Sequence, residues 1–371
     1  MASKVETVTG IEYQFARLGI LLNIWWVGVK LYHNPLISLR VTRRLLGNFT
    51  KMLGAKRLVR AYKVDGKYVW DMFNPAWPSK GFSTFFKSHL REIQATANDG
   101  SGLRRLLIAI TKRCPLSCEH CSEGDTLYQS DRLTYEELEK RISEFVTIGV
   151  GQLVYSGGEP LSRFDDLEKL IAHFKRECDQ WIYTSGFGLT AERAQRLKIA
   201  GLNGAAISLD NHIEEAHNLF RGNSKSYYWV KEAIKNCQAQ GILVALNVCP
   251  TRGYIESGGV EELIEWAAEQ QVEIINILEP RAVGNFYGKD VELSNEHKER
   301  LISLVDRFSF NADNVNYPTV LFPAAYRSAL PCGGGRSYML LDFDGALYPC
   351  PFCKTRIEKA SSEISLCAAE G

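Results

Sequence analysis

The sequence predicts an α/β fold: a partial (β/α)6 barrel of TIM type, preceded by a helical plus β-hairpin region and followed by a small cysteine-bearing domain. Two observations carry this. From residue 105 onward, six short apolar runs alternate with amphipathic stretches, the pattern of parallel strands covered by helices. Directly after the first run, "LLIAIT", come three cysteines in eight positions, Cys114, Cys118 and Cys121. Barrels of this type place their chemistry at such strand ends.

Composition narrows the class. The chain has 371 residues, 45% of them hydrophobic, enough for a sizeable core and more than one domain. A net charge of +1 makes the whole molecule no generic polyanion binder, and no nucleic-acid partner is expected. The charge is uneven, however: residues 1–70 hold 12 Lys/Arg against 3 Asp/Glu, so the basic part reads as a surface-binding segment. Ten cysteines, clustered and without a secretory signal ahead of them, point to metal binding or catalysis rather than to disulfides. The apolar stretch "LGILLNIWWVGVKLY" is too short and too polar to span a bilayer. The expected location is cytoplasmic, with peripheral attachment to a membrane as an option.

Taken in order, residues 1–100 form the first region. "EYQFARLGILLNIWWVGVKLY" predicts a helix stopped at His33-Asn34-Pro35, and "LISLRVTRRLLGNFTKMLG" a second, basic one. "RAYKVDGKYVWDMF" predicts a hairpin about Asp65-Gly66, and "FSTFFKSHLREIQ" a helix leading into the linker "ATANDGSG". Residues 101–315 form the barrel. Its strands are "LLIAIT", "QLVYSGG", "WIYTSG", "GAAISLD", "LVALNVC" and "EIINILE", each followed by helical stretches such as "TYEELEKRISEFVTIG". Residues 316–371 form the third part.

Spacing alone leaves the cysteine triplet open. A structural zinc wants four ligands, and no fourth Cys or paired His lies nearby; His120 would be an awkward one. An iron–sulfur cube held by three cysteines leaves one iron open to a ligand. The second strand adds "VYSGGEP", where Gly157 and Gly158 allow close backbone approach and Glu159 can hold an ammonium group. Alone, that would read as an ordinary strand-to-helix turn. Together, the C-x3-C-x2-C loop and the "GGEP" strand end resemble the radical S-adenosylmethionine (SAM) superfamily, over roughly residues 104–290.

The resemblance implies roles position by position. Cys114, Cys118 and Cys121 would ligate a [4Fe-4S] cluster whose open iron chelates the amine and carboxylate of SAM. His120 stands where the family has an aromatic residue near adenine. Gly157, Gly158 and Glu159 would receive the methionine amino group. Ser185, in "YTSG", replaces a family asparagine, and Ser208 and Asp210, in "ISLD", would approach the methionine carboxylate and ribose. Arg221 would be a carboxylate partner, one residue farther from the serine than the family pattern has it. Leu278 would offer backbone contacts to adenine. The implied activity is reductive cleavage of SAM to a 5′-deoxyadenosyl radical that abstracts hydrogen from an unactivated C–H bond, with a flavodoxin- or ferredoxin-type electron donor.

Farther on, Cys332, Gly345, Cys350 and Cys353 have the spacing C-x12-G-x4-C-x2-C, with Cys367 as a possible fourth ligand. A zinc knuckle or plain buried thiols would be the simpler reading. The better match is a SPASM/twitch-type extension carrying one auxiliary [4Fe-4S] cluster, which makes the third part a small Fe–S domain. Cys178, Cys237 and Cys249 read as core residues. Between Arg40 and Lys63 stand eight Lys/Arg and no acid. That segment reads as a solvated helical cap, as a membrane-surface element beside Trp25 and Trp26, or as a binder of an acidic leader peptide. Compact leader-binding folds open on strands, whereas this one reads as opening on helices. A lipid or other hydrophobic metabolite is therefore the expected substrate; a ribosomal peptide is the alternative, and a non-catalytic Fe–S or zinc protein the rival of another class.

Overall fold

A computed structural model of the chain describes residues 4–53, 56–94, 102–326 and 332–353. It opens on a strand, β1 (Glu6–Val8), followed by α1 (Gly10–Tyr32) and α2 (Pro35–Leu53). His33, at φ 52, ends α1 with its amide on the Val29 carbonyl. Asn34 Oδ1 then accepts from the Leu36 and Ile37 amides at 2.9 and 3.1 Å, capping α2 behind Pro35. The expected hairpin is β2 (Ala61–Val64) and β3 (Lys67–Val69), turned at Asp65 and Gly66, whose φ values of 49 and 73 suit a type I′ turn. β1 pairs antiparallel with β2 to give a three-stranded sheet. Three residues are too few to display a period, so β1 is not visible in the sequence pattern.

Helix α3 (Lys80–Gln94) completes the region and packs Phe82, Phe85, Phe86 and Leu90 against Ile24, Val27, Val41 and Leu45 of the α1–α2 pair. The outer side of α1 is apolar too, yet uncovered: Ile11, Phe15, Leu18, Leu22 and Trp26 are all exposed, at helical spacing.

Six strand and helix units follow. They are β4 (Arg105–Thr111), α4 (Tyr135–Ile148), β5 (Gln152–Gly157), α5 (Phe164–Phe174), β6 (Asp179–Thr184), α6 (Ala191–Ala200) and β7 (Gly204–Ser208). Then come α7 (Glu214–Arg221), α8 (Ser226–Ala239), β8 (Leu243–Val248), α9 (Arg252–Glu256), α10 (Gly259–Glu269), β9 (Ile274–Ile277) and α11 (Asn295–Ser309). Local signals set the ends: Thr134 and Glu137 form a capping box on α4, and Gly149 closes it. All six predicted strands are present and parallel.

The sheet is wider than expected. β10 (Thr319–Leu321) adds parallel to β9 and β11 (Tyr338–Leu341) parallel to β4, with β12 (Leu347–Tyr348) antiparallel outside it. The full order is β10-β9-β8-β7-β6-β5-β4-β11-β12. The C-terminal cysteine segment therefore continues the sheet beside the strand that leads to the cysteine loop.

Strand alternation sends Leu153, Tyr155, Ile182, Ala205 and Val244 toward the helices. It sends Val154, Trp181, Ala206 and Ala245 to the other face, where Tyr62, Val64, Val69 and Met72 of the N-terminal region cover them. Arg60 fixes this plug: it is buried and donates to the carbonyls of Phe308 (2.6 Å), Asn314 (2.7 Å) and Tyr317. No helix of the described residues is long and apolar enough to cross a membrane.

Candidate functional site

The cysteine loop leaves the end of β4 and is held by backbone bonds on two sides. Ser117 and Glu119 donate to the carbonyls of Arg221 and Phe220, and Asn285 donates its amide to Cys121 O (2.9 Å) and its side chain to Cys118 O (2.8 Å). Gly284 lies against the loop so closely that a Cβ there would sit 2.1 Å from Cys121 O. At the loop's base, Lys112 is fully buried between Glu123 and Asp342, the latter at 2.9 Å. One wall of that pair belongs to the C-terminal segment.

All twelve residues named from the first two motifs and their followers line one cavity of about 220 Å³ at the C-terminal ends of the strands. Cys114, Cys118 and Cys121 share it with His120, Gly157, Gly158, Glu159, Ser185, Ser208, Asp210, Arg221 and Leu278. Gly157 has φ +129, and a Cβ on Gly158 would lie 2.4 Å from Arg113 O. The paired glycines thus let β5 pass directly beneath the cysteine loop, where the Gly158 and Glu159 amides bond Thr111 O and Arg113 O.

Several roles differ from the expectation. Glu159 is 1% exposed, and its oxygens accept from Thr184 Oγ1 (2.7 Å), Ser185 N (2.7 Å), Ser185 Oγ (2.5 Å) and Leu161 N (3.1 Å). Four donors fill the sites of a carboxylate. The side chain therefore ties β5 to β6 and has no lone pair left for an ammonium group. Burial pushes its carboxyl up, against those hydrogen bonds. Ser185 is spent on the same network. The Leu278 amide is bonded to Val248 O at 2.7 Å, which leaves only its carbonyl to offer. Ser208 keeps its place on the cavity wall beside Asn247, its register partner on β8.

Arg221, at the end of α7, places a buried cation against the cysteine loop. Its Nε is 2.6 Å from Asp210 Oδ2 and its Nη1 3.6 Å from Cys118 Sγ. Asp210 Oδ1 also accepts from the Cys249 amide at 3.0 Å. Burial is the largest influence on the Asp210 carboxyl and would raise it, but Arg221, His120, His217 and the Cys249 amide together hold the group below its ordinary value. Burial raises the Cys114 thiol to about 12, and raises Cys118 despite Arg221. Binding a metal there must therefore displace protons. His120 stacks on Phe220 with centroids 4.7 Å apart and is held near 4 by burial, hence neutral; its Nδ1 has no partner among the described residues.

Residues the motifs did not reveal also line the cavity, among them Asn247, Cys249, Arg281, Phe286 and Phe352. Cys249 is buried as expected, but its wall faces the site; Cys178 and Cys237 lie in the core. Phe352 comes from the C-terminal segment. Around it, Cys332 and Cys350 flank Gly334, whose missing Cβ would sit 3.5 Å from Cys332 Sγ and from Cys350 Cβ. Cys353 closes a turn on Cys350, its amide 3.2 Å from that carbonyl. Cys367 lies outside the described residues. Among those residues, no three His, Cys, Asp or Glu converge to hold a single metal ion.

Comparison with known proteins agrees with this site. The Radical SAM superfamily model matches residues 108–267. The PqqA peptide cyclase of Streptomyces rochei is 33% identical over 175 residues, 46% of this chain and 47% of that protein. The chain thus aligns with about half the length of this relative. The structure of Streptococcus suis SuiB bound to precursor peptide SuiA is similar over 72% of this chain and 64% of that one, with 13% identity and a TM-score of 0.57. That of anSMEcpe with bound AdoMet and Cp18Cys peptide is similar over 67% and 74%, with 20% identity and a TM-score of 0.51. At such identities the two structures speak for the fold alone. The family implies a [4Fe-4S] cluster and SAM. Three thiols on one cavity, a glycine pair that admits close approach, and an unpartnered buried His120 Nδ1 all fit those groups. The match to the Radical SAM superfamily model thus falls on residues 108–267, the stretch that carries the cysteine loop, the glycine pair and the Asp210–Arg221 pair of this cavity.

Proposed function

We propose that this core modifies a peptide by hydrogen abstraction from an unactivated C–H bond. The observation that carries the reading is the convergence of the three cysteines and the Asp210–Arg221 pair on one cavity at the strand ends. When bound, the cluster and SAM supply the radical chemistry. The protein's part is to hold and orient them. Cys114, Cys118 and Cys121 would carry the cluster, and the Gly157-Gly158 backbone would admit the methionine end. Glu159 keeps those strand ends in register through Thr184 and Ser185. Arg221 offers positive charge next to Cys118, suited to a cluster thiolate or to the carboxylate of SAM. A flavodoxin- or ferredoxin-type donor would bring the electron.

A peptide substrate has more behind it than the lipid or other hydrophobic metabolite first expected. PqqA peptide cyclase is named for a peptide, and SuiB and anSMEcpe are described with peptides bound. The described N-terminal region opens on a short strand, residues 6–8, that pairs with the β2–β3 hairpin ahead of its helices. The same reading includes an auxiliary cluster on Cys332, Cys350 and Cys353, with Cys367 as a further ligand. Its support is the meeting of Cys332 and Cys350 at Gly334, and the reach of Phe352 into the main cavity. The division near residues 100 and 315 is part of this proposal.

The test is anaerobic reconstitution with iron, sulfide, SAM and a reductant, beside co-expression with short peptides encoded next to the gene. Wild type should release 5′-deoxyadenosine and change the mass of one such peptide; Cys118→Ala should do neither. Equal 5′-deoxyadenosine from Cys118→Ala would sink the cluster assignment. None from wild type would favour a non-catalytic metal protein.

A second reading, attachment to an anionic membrane surface, rests on α1. Its exposed apolar row precedes Arg40, Arg43 and Arg44, all exposed on α2. Apolar and basic side chains together suit such an interface.

A further inference from the structure

A cavity of about 500 Å³ lies away from the cysteine loop, where α2, α3, the start of β4 and the segment before β11 meet. Its polar wall is one-sided. Arg44, Arg104 and Arg336 face it, against a single carboxylate, Glu92. That carboxylate is already engaged: Arg104 Nη1 is 2.6 Å from its Oε2, and Arg336 Nε is 3.1 Å from its Oε1. Arg44 makes no ion pair with any described residue. Three guanidiniums thus face one carboxylate, and Arg44 stands exposed at the rim of the cavity.

A second observation points to a missing partner. Two buried polar atoms on this wall have no hydrogen-bond partner among the described residues, His89 Nδ1 and Arg336 Nε. The contact of Arg336 Nε with Glu92 is close enough for attraction but too poorly aligned to hydrogen-bond. Buried polar atoms left unpaired cost free energy, so such atoms ordinarily have a ligand or water against them. His89 is held well below its ordinary value, by burial first and then by Arg104 and Arg336, so it is neutral there.

We propose that this cavity binds a carboxylate. The planar guanidinium forks match a carboxylate's two oxygens. Leu45, Phe49 and Ile93 supply apolar walls for the methylene stem that carries such a group in an acidic side chain or a small dicarboxylic acid. Asn48 and Ser337 add polar contacts. The bound group would lie close to the auxiliary cysteines, because Tyr338, another wall residue, has its hydroxyl 3.8 Å from Cys332 Sγ. Nothing in this argument uses the radical chemistry, so the site and the proposed reaction stand or fall separately.

The experiment is calorimetric titration of the full-length, anaerobically reconstituted protein with four probes. They are a blocked tetrapeptide with two central glutamates, its glutamine counterpart, glutarate, and inorganic phosphate. At least one carboxylate probe should bind saturably and weaken roughly tenfold or more in Arg44→Gln and in Arg336→Gln, the loss expected for one charge-assisted contact. Arg44 has no described ion-pair partner, so its variant tests the site without breaking the Glu92 network. Lys80→Gln, outside this cavity, should bind as wild type does. Tighter binding of the glutamate peptide than of glutarate assigns the site to a peptide side chain, and the reverse to a small acid. The proposal is overturned if neither carboxylate binds, if the glutamine peptide binds equally, if only phosphate binds, or if Arg44→Gln and Arg336→Gln leave the affinity unchanged.

Discussion

Arg221 Nε lies 2.6 Å from Asp210 Oδ2, and both side chains are buried beside Cys118. The strand end of β7 supplies the acid and the end of α7 supplies the base, eleven residues later. The pair joins two elements across the wall of the cavity and places a fixed positive charge against a cluster-loop thiol. Removing one partner of a buried pair is costly, because the other charge is left without compensation.

Asp210→Ala should therefore lower stability by roughly 3–5 kcal/mol at neutral pH, read from urea midpoints. The effect should depend on pH in one direction. Asp210 is held below its unfolded value, about 3.9. Its contribution is thus complete above that pH and fades as pH falls through the folded value. The gap between wild type and variant should stay constant from pH 7 to about 5 and shrink below about 4. A gap that widened on acidification would refute the assignment.

Ser185→Ala removes the 2.5 Å hydroxyl donor to Glu159 while leaving the Ser185 amide in place. A hydrogen bond to a buried charged group contributes roughly 1.5–3 kcal/mol, and a loss in that range is expected. Thermal melts of the metal-free protein measure it. A variant as stable as wild type would mean that Glu159 does not depend on this donor.

The reconstituted protein should bind about eight irons, two cubes' worth, and the variant lacking Cys332, Cys350 and Cys353 about half of that. Wild-type iron near four per chain, or zinc retained in place of the missing iron, would remove the auxiliary cluster from the proposal.

The exposed row on α1 should bind anionic vesicles if it serves a membrane surface. Each Lys or Arg near such a surface contributes roughly 1 kcal/mol. Co-sedimentation should be strong with anionic vesicles at low salt, weak at high salt, and reduced by Phe15→Ser with Trp26→Ser. Equal, negligible recovery on anionic and neutral vesicles would leave the apolar row to another partner.

The α/β class, the six core strands and the twelve cavity residues were all legible in the sequence, for physical reasons. Alternation between apolar runs and amphipathic helices is a local property, and parallel strands then deliver their C-terminal ends to one face. "CPLSCEHC" and "SGGEP" follow neighbouring strands, so they must meet wherever those strands pair. What each residue does on that face was decided by packing at distances the sequence does not display. Glu159 appeared free to take an ammonium group until Thr184 and Ser185, on β6, filled its oxygens. Leu278 lost its amide to Val248 on the neighbouring strand. The three-residue β1 and β10 were too short to carry a period; the β11–β12 hairpin about Asp344-Gly345 was legible, but its parallel pairing with β4 was not, because no helix follows β11 to mark it. Only the folded chain brings Phe352 to the cavity of Cys114, and Arg336 to that of Arg44, because both contacts join segments separated by more than two hundred residues.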